Sequence, residues 1–185
     1  HVIPGEEYLR VQNCLKDFHN HSVEGGKTPF ADVTVYLAGP LLYEEVDCDK
    51  VAAELHKVFG EKVKAGKLVC FMGHGNPADM NYGNGNSRYP MIEKELQKLS
   101  PNYFVATVDM EGNLIEDLIK RIKESGKASG TMLLHPLMSI AGDHANNDLK
   151  GGVDPQNPEE ESWRYEMNKA GFKCTLDGCT MNGLA

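Results

Sequence analysis

The chain has 185 residues and a mass of 20.4 kDa, with 19 Lys and Arg against 27 Asp and Glu, a formal net charge of −8. That length suits one full domain, or one and part of a second, and it buries a core without disulfide or metal staples. The acidic balance argues against a nucleic-acid partner or an anionic membrane, both of which select a basic face, and no run approaches the roughly 20 apolar residues of a membrane-spanning helix.

In chain order, His1-Val2-Ile3-Pro4 reads as a strand end, and a helix follows over about residues 6–18. Val33-Thr34-Val35-Tyr36-Leu37 has the β-branched content of a strand, with Gly39-Pro40 as its breaker. Asp49 is placed to cap a helix over about 50–59, with Val51, Leu55, Val58 and Phe59 on one face. Gly60 to Gly66 is a charged link. Lys67 to Met72 is a near-continuous apolar run, as a strand buried on both faces requires. Ser87 caps a predicted helix over 87–99, and 103–108 is the next strand. Asn113 caps a helix whose face is Leu114, Leu118, Ile119 and Ile122. Thr131 to Ile140 is a third apolar run. Pro158 with Glu159, Glu160 and Glu161 reads as a helix start, the acids lying at the positive dipole end, and Gly171 closes that helix before a strand over 172–176.

Strands alternating with helices predict an α/β fold with a doubly wound parallel sheet. Residues 1–63 read as the tail of a similar preceding unit and 64–185 as a second unit. Residue 1 is histidine, so the chain is expected to be processed or part of a longer protein. The cytoplasm is the expected compartment, with the periplasm as the alternative. Five widely spaced cysteines make no disulfide framework or zinc pair. Cys70 reads as a core thiol, and Cys174 and Cys179 as free thiols that could pair in an oxidising compartment.

Ligands gather at the carboxyl ends of strands in parallel sheets. Gly73-His74-Gly75 follows the first apolar run, Asp109 the second, and Ala141-Gly142-Asp143-His144 the third, with 35 residues between His74 and Asp109 and again between Asp109 and His144. One βα repeat per step brings all three to one sheet edge. Two imidazoles and a carboxylate suit Co²⁺, Fe²⁺, Ni²⁺ or Zn²⁺ better than Mg²⁺ or Ca²⁺, which want more oxygen donors. Gly73, Gly75 and Gly142 turn the backbone sharply and leave room for a bulky ligand. Met138, with Met72, Met80 and Met132, could wall a flat apolar molecule, although methionine at strand positions is more often core.

A single strand-end histidine is more often satisfied by a backbone carbonyl; two flanked by glycine, in phase with an acid, favour a site. Other candidates are weaker. His1 and Glu7 bracket a helix start, where Glu7 has the ordinary role of a capping acid. His19 and His21 read as a solvated loop and His56 as a surface residue. His135 is as suited to packing as to chemistry. There is no dinucleotide fingerprint, P-loop or nucleophile elbow.

Phe71-Met72-Gly73-His74-Gly75, with Pro136-Leu137-Met138 running into Ala141-Gly142-Asp143-His144-Ala145-Asn146-Asn147-Asp148, closely resembles the anaerobic-type sirohydrochlorin cobaltochelatases, class II chelatases that insert metal into tetrapyrroles. His1-Val2-Ile3-Pro4-Gly5-Glu6-Glu7-Tyr8 and Gly39-Pro40-Leu41-Leu42 are similar to further family segments. The resemblance implies two α/β domains with a cleft between them, the N-terminal one incomplete here. It implies His74 and His144 as metal ligands, a third ligand where this chain has Asp109 in place of the family's Glu, with Glu111 as substitute, and Glu7 as an accessory acid. The implied reaction is insertion of Co²⁺ into a sirohydrochlorin for cobalamin synthesis, with His74 as principal base. Iron insertion and non-catalytic tetrapyrrole or metal carriage are the alternatives, and self-association is left open.

Overall fold

The computed structural model describes residues 1–24, 34–140, 142–154 and 156–177, and the side chains of all of these except residues 19–24. Helix α1 spans Glu6–Glu24 and α2 Glu45–Lys64. Then β1 (Leu68–Gly73), α3 (Arg88–Leu99), β2 (Tyr103–Thr107), α4 (Ile115–Glu124), β3 (Gly130–Pro136), α5 (Trp163–Lys169) and β4 (Phe172–Leu176) follow. The four strands form one all-parallel sheet in the order β2-β1-β3-β4. Among the described residues no helix is long and apolar enough to cross a membrane.

Alternation along each strand feeds two cores. Val69, Phe71, Tyr103, Val105 and Leu133 face one layer, with Phe59 and Val63 of α2 and Ile92 and Leu96 of α3. Leu68, Cys70, Met72, Phe104, Ala106, Met132 and Leu134 face the other, with Leu118 and Ile122 of α4 and Trp163 and Met167 of α5. This is why β1 reads as an unbroken apolar run: every one of its residues is buried. At about 1.5–3 kcal/mol per buried large apolar side chain, these two layers are the main source of stability. Ile3, Leu42, Cys48 and Ala52 join the first layer, so residues on both sides of position 63 share one core.

Several elements differ from their sequence expectation. Val33 lies outside the described residues, and Thr34–Leu37 form no strand: Val35 and Tyr36 are 50% and 90% exposed, with no sheet neighbour among the described residues. The chain instead ties back past Pro40, where Leu41 and Leu42 donate to the carbonyls of His1 and Val2 at 3.0 and 2.7 Å. Those two bonds stand in for the strand expected at residues 1–4. His19 and His21 fall within α1 and not in a loop.

Helix α2 starts four residues before Asp49, because the Asp47 carboxylate accepts from the Glu44 N–H at 2.8 Å. It runs through the expected link as far as Lys64, and its buried face is Cys48, Ala52, Phe59 and Val63, while Val58 is exposed. In α3, Ser87 occupies the cap position, but its hydroxyl donates to the Asn84 carbonyl, since residues 82–87 already coil as a tight turn. Helix α4 begins after Leu114, whose N–H is met by Asp117, so Ile115 replaces Leu114 on the buried face.

Helix α5 begins at Trp163 and not at Pro158, with Ser162 accepting from the Tyr165 N–H at 3.3 Å. The Glu159 N–H is drawn away to the Gly151 carbonyl, and Glu161 has a left-handed φ of 70° that stops a helix there. Cys70 is fully buried as expected, which pushes its thiol pKa well above the usual range. Cys174 makes no disulfide among the described residues, and Cys179, its alternative partner, lies outside them.

Candidate active site

The register pairs Gly73 with Thr107 and Met72 with Pro136, so β1, β2 and β3 end together. His74 is the first residue past β1. Its carbonyl accepts from the N–H groups of Val108 and Asp109 at 3.0 and 2.9 Å, which carries Asp109 to the same edge. The carboxylate of Asp109 then lies 3.6 Å from Nδ1 of His74. His144 arrives from the loop after β3, and its ring stands perpendicular to that of His74 with centroids 4.6 Å apart. Glu7, in the first turn of α1, places Oε1 3.8 Å from Nε2 of His74.

Hydrogen bonds orient both imidazoles. His74 Nδ1 lies 2.7 Å from the Gly75 carbonyl, which only accepts, so the proton sits on Nδ1 and the lone pair on Nε2. His144 Nδ1 lies 2.5 Å from the Asp148 carboxylate, one helical turn on, with the same consequence for its Nε2. Nε2 is thus the metal-binding or proton-accepting atom on each ring. Glu7 is on the Nε2 side of His74 and Asp109 on the Nδ1 side. The contacts are pairwise: among the described residues, no three His, Cys, Asp or Glu side chains already converge on one point.

His74, His144 and Glu7 open on a cavity of about 290 Å³, with His1, Asn76 and Tyr89 also on its polar side and Val2, Ile3, Leu137, Met138 and Ile140 as its apolar wall; Asp109 does not line it. Ile140 is 70% exposed at the mouth. A polar end bearing two imidazoles and a carboxylate, set against a broad aliphatic wall, suits a flat molecule with polar atoms at its centre.

The structure sorts the sequence candidates. It brings together His74, His144, Asp109 and Glu7. Gly75 lines the cavity with φ 79°, and a Cβ there would come within 2.9 Å of Met110. Gly73 is closed from behind, as a Cβ would stand 2.1 Å from the ring of Tyr89. Gly142 does not line the cavity; its carbonyl accepts from Asn146 and starts the turn that carries His144. Met138 lines the wall. Glu111 faces a separate cavity, with Asn81, Asn84, Asn86 and Met110.

His56 is on α2 and bonds through Nδ1 to the Tyr103 hydroxyl at 2.9 Å. His135 packs edge-on against Phe59 and Phe71, away from the cavity. Sequence reasoning missed Asp148 and Tyr89. The His144–Asp148 spacing of four on a helix was a readable signal. Tyr89 carried none, because its contact with Gly73 exists only once α3 docks on β1. Burial pushes its hydroxyl pKa up to about 12, so it stays protonated.

The profile of the cobalt chelatase (CbiK) family matches residues 1–185. The chain belongs to the cobalt chelatase (CbiK) family. It is also 30% identical over 176 residues to the sirohydrochlorin cobaltochelatase CbiKC of Nitratidesulfovibrio vulgaris (strain Hildenborough), an alignment covering 94% of this chain and 54% of that protein. The chain thus spans about half the length of that curated relative. The chelatase family match covers all the residues of the cleft.

Proposed function

We propose that this chelatase-family chain carries the metal-inserting half of a sirohydrochlorin cobaltochelatase, a lyase that places Co²⁺ in the tetrapyrrole and releases two protons. The observation that carries the reading is the perpendicular pair His74–His144, 4.6 Å between centroids, beside Glu7 at the polar end of an apolar cavity. It is supported by membership of the family and by the relative's printed activity.

In this reading His74 and His144 bind the metal through Nε2, each already oriented by its Nδ1 hydrogen bond. Asp109 serves as carboxylate donor or, from its place beside Nδ1, as the group that orients His74. Two pyrrole N–H protons leave as the metal enters. Passage of the ion into the macrocycle frees both Nε2 atoms: Nε2 of His74 accepts one pyrrole proton and hands it to Glu7, 3.8 Å away, and Nε2 of His144 accepts the other and releases it to solvent. The Met138 wall and the Gly75 turn hold the macrocycle face-on to the ion, which supplies the orientation part of catalysis, while Gly73 and Gly142 act only through the turns that carry His74 and His144.

Co²⁺ is the substrate metal; Fe²⁺, Ni²⁺ and Zn²⁺ suit the same donors, and affinity order does not choose among them. The division into residues 1–63, the tail of a preceding unit, and 64–185, the second unit, belongs to this proposal, as does a cytoplasmic location. The test is steady-state insertion of Co²⁺ and of Fe²⁺ into sirohydrochlorin by the whole protein. Faster turnover with Co²⁺ is expected. Faster turnover with Fe²⁺ makes it an iron chelatase, and binding of metal and tetrapyrrole without turnover makes it a carrier.

A further inference from the structure

The turn that carries His74 is gripped from behind by one short segment. Asn86 is buried, and its side chain makes both bonds a neighbouring strand would make to Asn76: Oδ1 accepts from the Asn76 N–H at 2.9 Å and Nδ2 donates to the Asn76 carbonyl at 2.7 Å. Three residues on, the Tyr89 hydroxyl accepts from the Gly75 N–H at 3.3 Å, while the Tyr89 ring fills the space a Cβ on Gly73 would need. Gly73, Gly75 and Asn76 are therefore all held by side chains of residues 86–89, and His74 sits between them.

The same segment also reaches the other side of the site. A Cβ on Gly85 would stand 2.9 Å from the Pro4 carbonyl, and one on Gly5 would stand 2.7 Å from the Asn76 amide nitrogen. The backbone two residues before Glu7 is thus pressed between the 83–86 turn and Asn76. Asn86 and Gly85 do not line the main cavity and touch the reaction only through what they hold, whereas Tyr89 lines the cavity as well as gripping the turn, so Asn86 is the cleaner probe of the grip.

We propose that Asn86 and Tyr89 are positioning residues for metal insertion, fixing the His74 turn against the Pro4–Glu7 segment so that imidazole and carboxylate meet at a set distance. The proposal rests on the chelatase reading for its kinetic half only. A displacement of about 1 Å at a reacting group costs on the order of 100-fold in rate, so loosening this grip should lower kcat while substrate binding persists.

The experiment uses the whole protein with Tyr89→Phe, which keeps the ring against Gly73 and removes only the hydroxyl, and Asn86→Ala. Two quantities are measured: kcat and KM for Co²⁺ insertion, and the tautomer of His74 from long-range proton–nitrogen correlations recorded for wild type and variants under the same conditions. Wild type should show the Nδ1–H tautomer set by the Gly75 carbonyl. Both variants should move toward a mixture of tautomers, with kcat down about 10- to 100-fold and KM changed less than about twofold. A wild-type tautomer in both variants overturns the proposal, as does unchanged kcat in an active protein. Absence of Co²⁺ insertion by wild type defeats the chelatase reading alone, and the tautomer comparison still decides the positioning role.

Discussion

The imidazoles of His74 and His144 stand edge to face with centroids 4.6 Å apart, although they follow different strands. Each is held through Nδ1, His74 by the Gly75 carbonyl and His144 by Asp148, so the pair presents two Nε2 atoms with lone pairs. A pair built this way has the atoms both to bind a metal and to accept a proton, the two roles proposed for it, and they separate by mutation. His74→Ala should lower kcat for Co²⁺ insertion by about 100-fold or more, because in the proposed reaction it removes a base as well as a ligand. Saturating Co²⁺ restores a missing ligand's effect but not a missing base. Recovery of full turnover at high Co²⁺ in steady-state assays would show that His74 only binds.

Asp148 touches the site through His144 alone. Its removal frees the ring and its tautomer, and loss of such an orienting carboxylate typically weakens metal binding about 10- to 100-fold. Asp148→Ala should therefore reduce Co²⁺ affinity by that factor in a direct titration followed by the visible absorption of the bound ion, with the thermal transition little changed. Wild-type affinity in the variant would reduce the 2.5 Å contact to a helix-surface pair.

Asp109 and Glu111 are two residues apart, but Asp109 lies 3.6 Å from His74 Nδ1 whereas Glu111 lines a separate cavity. Asp109→Ala is expected to weaken Co²⁺ binding about tenfold or more, whether its carboxylate ligates or orients. Glu111→Ala should leave affinity within about twofold, since Glu111 shares its cavity with asparagines and not with either imidazole. The same titration ranks the two variants, and the reverse order would move the carboxylate role to Glu111.

Gly73→Ala forces a methyl into the Tyr89 ring, where the ideal Cβ position is 2.1 Å from Cε1. Both groups are buried, so relief requires the ring or β1 to shift. Overpacking of this kind costs about 1–3 kcal/mol. Urea denaturation should show that loss, and Gly73→Ala combined with Tyr89→Leu should recover part of it, because the shorter side chain returns the space.

His135 gives a pH prediction away from the site. Burial lowers its pKa below the ordinary 6.5; Lys62 adds to the effect, while the Pro136 backbone and Asp177 oppose it. Its Nδ1 has no hydrogen-bond partner among the described residues, and Phe59 and Phe71 pack edge-on against the ring. Below pH 6.5 the unfolded chain binds this proton more readily than the folded one. Stability is therefore unaffected above that pH and falls as pH drops below it, by at most about 1.4 kcal/mol per pH unit for one proton, until the folded pKa is passed. His135→Phe should flatten that part of the pH–stability curve measured by urea unfolding. An unchanged slope would place the proton uptake elsewhere.

Local pattern by itself determined the four strands of the sheet, their order in the chain and the residues at the carboxyl ends of the first three. A strand buried on both faces has to be apolar throughout, as residues 68–73 are, and one βα repeat between His74, Asp109 and His144 puts all three on one edge of a parallel sheet. The family segments added Glu7, which periodicity treats as an ordinary capping acid. Element starts were less legible, because Asp47, Asp117 and Ser162 won their caps through hydrogen bonds that neighbouring residues of the same chemistry could also have made. The run Thr34–Leu37 has strand composition but no sheet neighbour among the described residues, and composition alone cannot supply one. Only tertiary structure decided that Asp109 meets His74 on Nδ1 and Glu7 on Nε2, that Glu111 turns to another cavity, and that Tyr89 and Asn86 close the back of the His74 turn. Those contacts join side chains from separate elements, and their distances depend on how helices dock on a sheet, which no spacing along the chain encodes.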